Sequence, residues 1–112
     1  MNALVFEKVG ASLAAETSIG LTQDMVRIDS TNGKEDTLAR DLEAKLKSLG
    51  VGTVWCEKTF EGRLNTLWEV DSGKSGPRLL FTGHLDTKPV CEGWQRDPAV
   101  TEPTEPSYTV PS

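Results

Sequence analysis

The stretch Leu79-Leu80-Phe81-Thr82-Gly83-His84-Leu85-Asp86-Thr87-Lys88-Pro89-Val90 constrains the fold of this chain more than any other. The uninterrupted apolar run over Arg78 to Thr82 reads as a short strand of the kind buried on both faces, and such strands belong to sheets covered by helices. Gly83 closes the run and polar groups follow, which places His84 and Asp86 at the carboxyl end of the strand, the edge where open α/β sheets put ligands and chemistry. Residues at i and i+2 of an extended segment share a face, so the two side chains can act together. A neutral imidazole is a good ligand for zinc, cobalt or nickel, and its second ring nitrogen needs an acceptor to fix the ring; Asp86 is the nearest candidate. Taken without context, the plain alternatives are a loop histidine satisfied by backbone and an aspartate that forms a turn.

Upstream, spacing predicts two helices. Leu13, Thr17, Leu21, Met25 and Ile28 recur at three and four residues and place the first between Ala11 and Ile28, weakened by Gly20. In the second, Asn32 is the expected cap, Glu35 completes a capping box, and Leu38, Leu42, Leu46 and Leu49 form a continuous stripe. Lys45 and Lys47 suit the negative end of that helix, and Gly50 suits a left-handed terminus. Val51 to Glu57 and Leu64 to Val70 read as strands joined by a turn at Phe60 to Arg63. Asp71 to Pro77 is a loop compatible with a hairpin into the Arg78–Thr82 strand. The order helix, helix, strand, strand, strand indicates an α/β layer with a mixed sheet. After Pro98 a proline, threonine and glutamate tract has too few apolar residues to pack, which predicts a disordered tail over residues 99–112.

Composition excludes several classes. A net charge of −5 with scattered basic residues leaves no footprint for nucleic acid. No run approaches the length that spans a bilayer, and the chain shows no fixed-period repeat. Cys56 and Cys91 form no Cys-x-x-Cys pair and follow no secretory leader pattern, so the expectation is two free thiols, with Cys56 on a strand, in the cytoplasm. Cys91 lies close enough in sequence to His84 to be weighed as an extra metal ligand. Gly73-Lys74-Ser75 is not a phosphate loop, because Trp68 stands where the motif needs glycine and Gly76-Pro77 where it needs a helix.

Gly83-His84-Leu85-Asp86-Thr87, then Pro89-Val90, Gly93-Trp94 and Asp97-Pro98, together resemble the two-zinc amidohydrolases and exopeptidases. That family includes acetylornithine deacetylase, succinyl-diaminopimelate desuccinylase, aminoacylase and carboxypeptidase G. Val26-Arg27-Ile28-Asp29-Ser30-Thr31-Asn32-Gly33-Lys34-Glu35 is similar to its junction between the first two helices, and Leu46-Lys47-Ser48-Leu49-Gly50 to the end of the second. The resemblance implies that residues 1–98 are the amino-terminal portion of a catalytic domain with a zinc exopeptidase-like fold. It implies that His84 is a zinc ligand and that Asp86 is the catalytic carboxylate orienting it. The cofactor would be zinc, two ions in the complete family, with cobalt able to substitute. The substrate would be an N-acyl amino acid or a small peptide cleaved at its amide bond.

The family's bridging aspartate, paired glutamates, further carboxylate and second histidine find no match in these 112 residues. A catalytic zinc site takes about three protein ligands plus water, so the expectation is an enzyme fragment inactive alone. The alternative is a small non-catalytic interaction protein, or a degenerate truncated reading frame, derived from the same fold. In a broken or degenerate chain the missing remainder of the sheet leaves a strand edge and apolar faces open, which predicts poor solubility or self-association, whereas a clean monomer would speak for an independent module.

Overall fold

The computed structural model describes residues 15–59 and 61–99. Their order is helix α1 (Ala15–Val26), helix α2 (Glu35–Ser48), strand β1 (Thr53–Lys58) and strand β2 (Leu64–Glu69), a mixed α/β arrangement. The chain divides into two units, residues 28–93 forming one of them and the flanking segments the other. Within the flanking unit, α1 runs through Gly20 without a break. It stops at Val26 rather than Ile28, where Arg27 Nη1 pairs with Asp24 at 3.1 Å. The predicted start at Ala11 lies outside the described residues, as do residues 100–112 of the proline-rich tail.

The 28–93 unit is built on a hairpin with a helix laid across it. β1 and β2 pair antiparallel in a register that sets Val54 against Trp68, Trp55 against Leu67 and Cys56 against Thr66. Thr59 N–H donates to the Arg63 carbonyl at 2.8 Å and Gly62 N–H to the Thr59 carbonyl at 2.9 Å, which closes the turn between them. α2 covers one face of the hairpin. Leu38, Ala39, Val54 and Leu64 are the buried apolar residues. Ala39 has no exposed surface, so the helix backbone lies close enough for the Thr66 hydroxyl to donate to the Ala39 carbonyl at 2.8 Å and the Cys56 thiol at 3.6 Å. The leucine stripe is therefore graded: Leu38 is buried, Leu42 and Leu46 are half-buried, and Leu49 is exposed.

α2 begins differently from the expected capping box. Its first flanking residue is Lys34, and no side chain caps the helix. Asn32 turns away, its Oδ1 accepting a 2.6 Å hydrogen bond from Arg63. Glu35 supplies half of the box by reaching back to accept the Gly33 N–H at 2.9 Å. A long-range arginine thus competes successfully for the asparagine that local sequence assigns to the helix. The other end follows expectation, with Gly50 at φ 68° just past the helix.

Among the described residues the sheet has two strands, where the sequence predicts three and a mixed sheet. Among the described residues no strand pairs with residues 78–82, and Leu79, Leu80 and Phe81 are 79%, 85% and 86% exposed. The reason is that a strand exists only with a neighbour to take its N–H and C=O groups. The composition of Leu79 to Phe81 suits a buried strand, but nothing among the described residues covers it.

Gly52 precedes β1 at φ 71°, and a Cβ built there would lie 2.2 Å from the Glu69 carbonyl oxygen and 3.0 Å from Trp68 Nε1. Both the left-handed backbone and the close approach exclude a side chain. Gly52→Ala is expected to destabilise the unit by about 2 kcal/mol or more, read as a lowered urea midpoint with unchanged slope. A midpoint within error of the parent would show that the first strand enters the hairpin by another path.

Candidate functional site

The site is assembled on the segment that leaves the unpaired run. Past Gly83 the backbone is tied to the rest of the unit at Thr87, whose N–H donates to the Ser30 carbonyl at 2.9 Å. Thr31 and Thr87 form an isolated parallel bridge at the same place. Ser30 is 1% exposed, and its hydroxyl lies 3.5 Å from that of Thr87. The loop between the two helices therefore holds the end of the His84–Asp86 segment.

That loop is itself fixed at several points. Asp29 accepts from the Thr31 N–H at 3.1 Å, from the Thr31 hydroxyl at 2.8 Å and from Lys34 Nζ at 2.9 Å. Arg63 ties Asn32 to the hairpin turn, and the Leu64 N–H donates to Asp36 at 3.1 Å. Glu35 is 5% exposed. Its Oε1 takes the Gly33 N–H and lies 3.8 Å from Arg63, while its Oε2 has no partner. The Gly33 and Glu35 backbone amides, helped by Arg63, hold the Glu35 carboxyl below the usual range against burial and the like charge of Asp86.

His84 and Asp86 stand together at the surface. The His84 Nδ1 lies 2.8 Å from the Asp86 carbonyl oxygen and 3.2 Å from its Oδ1, with the imidazole 84% exposed. Both neighbours of Nδ1 are acceptors, so in the neutral ring Nδ1 carries the hydrogen and Nε2 presents its lone pair. An imidazole held in this way is ready to bind a cation through Nε2, and Asp86 is the acceptor that makes it so. Cys91 is exposed and its thiol lies 3.5 Å from the Pro89 carbonyl. Among the described residues no group of three or more histidine, cysteine or acidic side chains converges on a metal-sized site. One imidazole with one orienting carboxylate does not by itself make a zinc site, which needs three or four protein ligands. Neither the part played by the 30–35 loop nor the buried Glu35 was expected from sequence. The signal available was the serine, threonine and aspartate density between the helices.

Comparison with known proteins gives the same direction. The chain is 34% identical over 90 residues to a succinyl-diaminopimelate desuccinylase of Cupriavidus necator, an alignment covering 72% of this chain and 23% of that enzyme. It is 33% identical over 90 residues to the one from Cupriavidus taiwanensis, with the same coverage, and 31% identical over 85 residues to the one from Corynebacterium glutamicum, covering 76% and 22%. This chain belongs to the amidohydrolase family of those desuccinylases. It spans about a quarter of the length of the curated relatives it matches. No protein-family model matches the chain, and no solved structure does. No described helix is long and apolar enough to cross a membrane.

In this family member the loop that holds the site carries a pH signature. Hydrogen bonds from Lys34 and from the Thr31 amide and hydroxyl lower the Asp29 carboxyl from 3.8 to about 2. Because the folded value is depressed, the loop's contribution is complete above the unfolded value and is lost as pH falls through the folded one. Asp29 is expected to titrate near 2 by carboxyl NMR, with the Thr87 amide losing exchange protection between about pH 4 and 2. A normal Asp29 titration would mean that the loop is not tied as described.

Proposed function

We propose that this chain is a segment of a metal-dependent amidohydrolase. It contributes one metal ligand, His84, and the carboxylate that orients it, Asp86, within residues 1–98 of a zinc exopeptidase-like catalytic domain. The observation that carries the reading is the pairing of His84 Nδ1 with both acceptors of Asp86, which leaves Nε2 free at the surface. A loop histidine satisfied only by backbone would not need the carboxylate at 3.2 Å. The relatives' name supplies the substrate class: an amino acid acylated on nitrogen by a succinyl group, with the amide bond as the scissile one. The family's cofactor is zinc, two ions, which would polarise the amide carbonyl and supply hydroxide. Here His84 would hold one ion, and Asp86 would hold the imidazole and sustain its basicity. The remaining ligands, the general base and the substrate contacts would come from polypeptide other than these residues. The reading places the protein in the cytoplasm, with residues 99–112 as a disordered tail.

The chain alone is expected to be inactive on N-succinyl-diaminopimelate and to bind zinc or cobalt weakly through one imidazole. Calorimetric titration with zinc checks this: His84→Ala should remove the binding, and Asp86→Asn should weaken it by about tenfold or more. Zinc binding unchanged by His84→Ala would sink the ligand role. Turnover of the succinyl substrate by the purified chain would overturn the expectation of inactivity while leaving the amidohydrolase assignment in place.

A further inference from the structure

Asn32 is followed by a glycine, whereas Asn2 and Asn65 precede Ala3 and Thr66. The distinction is chemical. Asparagine is a labile residue, and deamidation begins when the next residue's backbone nitrogen attacks the asparagine side-chain carbonyl. A glycine at that next position has no side chain to obstruct the attack. Asn32 and Gly33 are both exposed, and no described atom lies within 4 Å of where a Cβ on Gly33 would stand. Water therefore reaches the dipeptide.

The fold holds the reacting atoms apart in three ways. The Lys34 N–H donates to the Thr31 carbonyl at 2.8 Å, which makes Asn32 and Gly33 the central pair of a turn. Gly33 has φ 96° and no described residue other than glycine has a positive φ, so the turn is of type II. Such a turn sets ψ of Asn32 at roughly +120°, with the Gly33 nitrogen over the Cα hydrogen, whereas closing a five-membered ring needs that nitrogen over Cβ, about 120° of rotation away. The carbonyl that would be attacked is also held, since Arg63 Nη2 donates to Asn32 Oδ1 at 2.6 Å. The attacking nitrogen is engaged as well, its N–H donating to Glu35 Oε1 at 2.9 Å.

This lock has a weak point. Glu35 is 5% exposed, and its Oε2 finds no partner among the described residues. Arg63 stands 3.8 Å from Oε1, too far for a hydrogen bond. A carboxylate oxygen thus goes unsatisfied while the loop is closed and is hydrated when it opens. Local opening of this kind requires less free energy than unfolding the unit.

We propose that Asn32–Gly33 is a latent modification site: the closed loop suppresses its deamidation, and reaction from the opened loop irreversibly releases the anchor of the His84 segment. With the loop open, the Gly33 nitrogen loses its proton to hydroxide and bonds to Asn32 Cγ. The Cγ–Nδ2 bond breaks, and ammonia leaves with a proton drawn from water. Water then hydrolyses the cyclic imide at one of its two carbonyls. Cleavage at the side-chain carbonyl restores the ordinary main chain and gives Arg63 a carboxylate in place of an amide, so the turn closes again. Cleavage at the main-chain carbonyl leaves an isoaspartyl linkage, which adds one carbon to the main chain between Thr31 and Gly33. The turn from Thr31 to Lys34 then cannot close as it does here, and Ser30, two residues upstream, no longer presents its carbonyl to the Thr87 N–H. None of this depends on what His84 binds.

The test follows the full chain in native buffer and in urea at the same mildly alkaline pH. Trypsin releases Ile28–Lys34, whose sole asparagine is Asn32, and mass spectrometry reads its gain from amide to acid. Conversion should be slower in native buffer than in urea by about tenfold or more. Arg63→Gln and Glu35→Gln, each checked for retained helix by circular dichroism, should speed the native reaction about threefold or more. Once the products are separated, the Thr87 amide should exchange fast in the isoaspartyl chain and stay protected in the aspartyl one. Equal rates in buffer and urea would overturn the lock, and that comparison needs no variant. Folded variants that convert no faster than the parent would overturn the parts given to Arg63 and Glu35. An isoaspartyl chain with Thr87 as protected as in the parent would overturn the release.

Discussion

The seating of α2 on the hairpin through Ala39 is the contact on which the rest of this structure depends. With no side chain beyond Cβ, Ala39 lets the helix backbone approach until its carbonyl accepts from the Thr66 hydroxyl and the Cys56 thiol. A larger residue would hold the two layers apart, because packed interiors have no slack for even one extra methylene. Among the described residues the buried apolar set is otherwise Leu38, Val54 and Leu64, so polar stitching between helix and sheet does part of what a larger core would do. It also fixes direction. Once α2 is seated, its amino-terminal end stands beside the hairpin turn, where Arg63 reaches Asn32 and Asp36 accepts the Leu64 amide.

That geometry determines where the candidate site can be. The loop before α2 is held by its own hydrogen bonds and by Arg63, which leaves the carbonyl of buried Ser30 positioned to receive Thr87. His84 is therefore located by a series of contacts that begins in the core and ends in one backbone hydrogen bond. Before that bond, the run from Leu79 to Gly83 is held among the described residues only at its start, by the exposed Arg78–Glu69 ion pair, of a kind worth at most about 1 kcal/mol. The residues best suited by composition to a buried sheet are thus the least secured.

Sequence made the local elements legible and the non-local ones much less so. The leucine stripe of α2, the left-handed Gly50 and the two strands with their turn follow from patterns within a few residues, and each is found close to its expected place. The capping box on Asn32 fails because Arg63, far along the chain, takes the side chain. The third strand fails for a related reason: Leu79 to Phe81 state a preference for burial, but pairing depends on a neighbour that no local pattern contains. The closeness of His84 to Asp86 was readable because an i, i+2 relation in extended backbone is local. The tie from Thr87 to Ser30 was not, since nothing in either segment names the other.

The same distinction explains why the imidazole of His84 is well oriented here. Orienting an imidazole needs only an acceptor on its second nitrogen, and Asp86 provides two from within the same short segment. Closing a coordination sphere is different in kind, because ligands at tetrahedral angles around one ion have to arrive from several directions and hence from several elements. Local contacts fix the tautomer of His84, but among the described residues no group of three or more histidine, cysteine or acidic side chains converges on one point. The unpaired run at Leu79 to Phe81 and the lone oriented imidazole thus have one cause: in both, the local part follows from neighbouring residues, and the rest depends on groups that no local pattern brings together among the described residues.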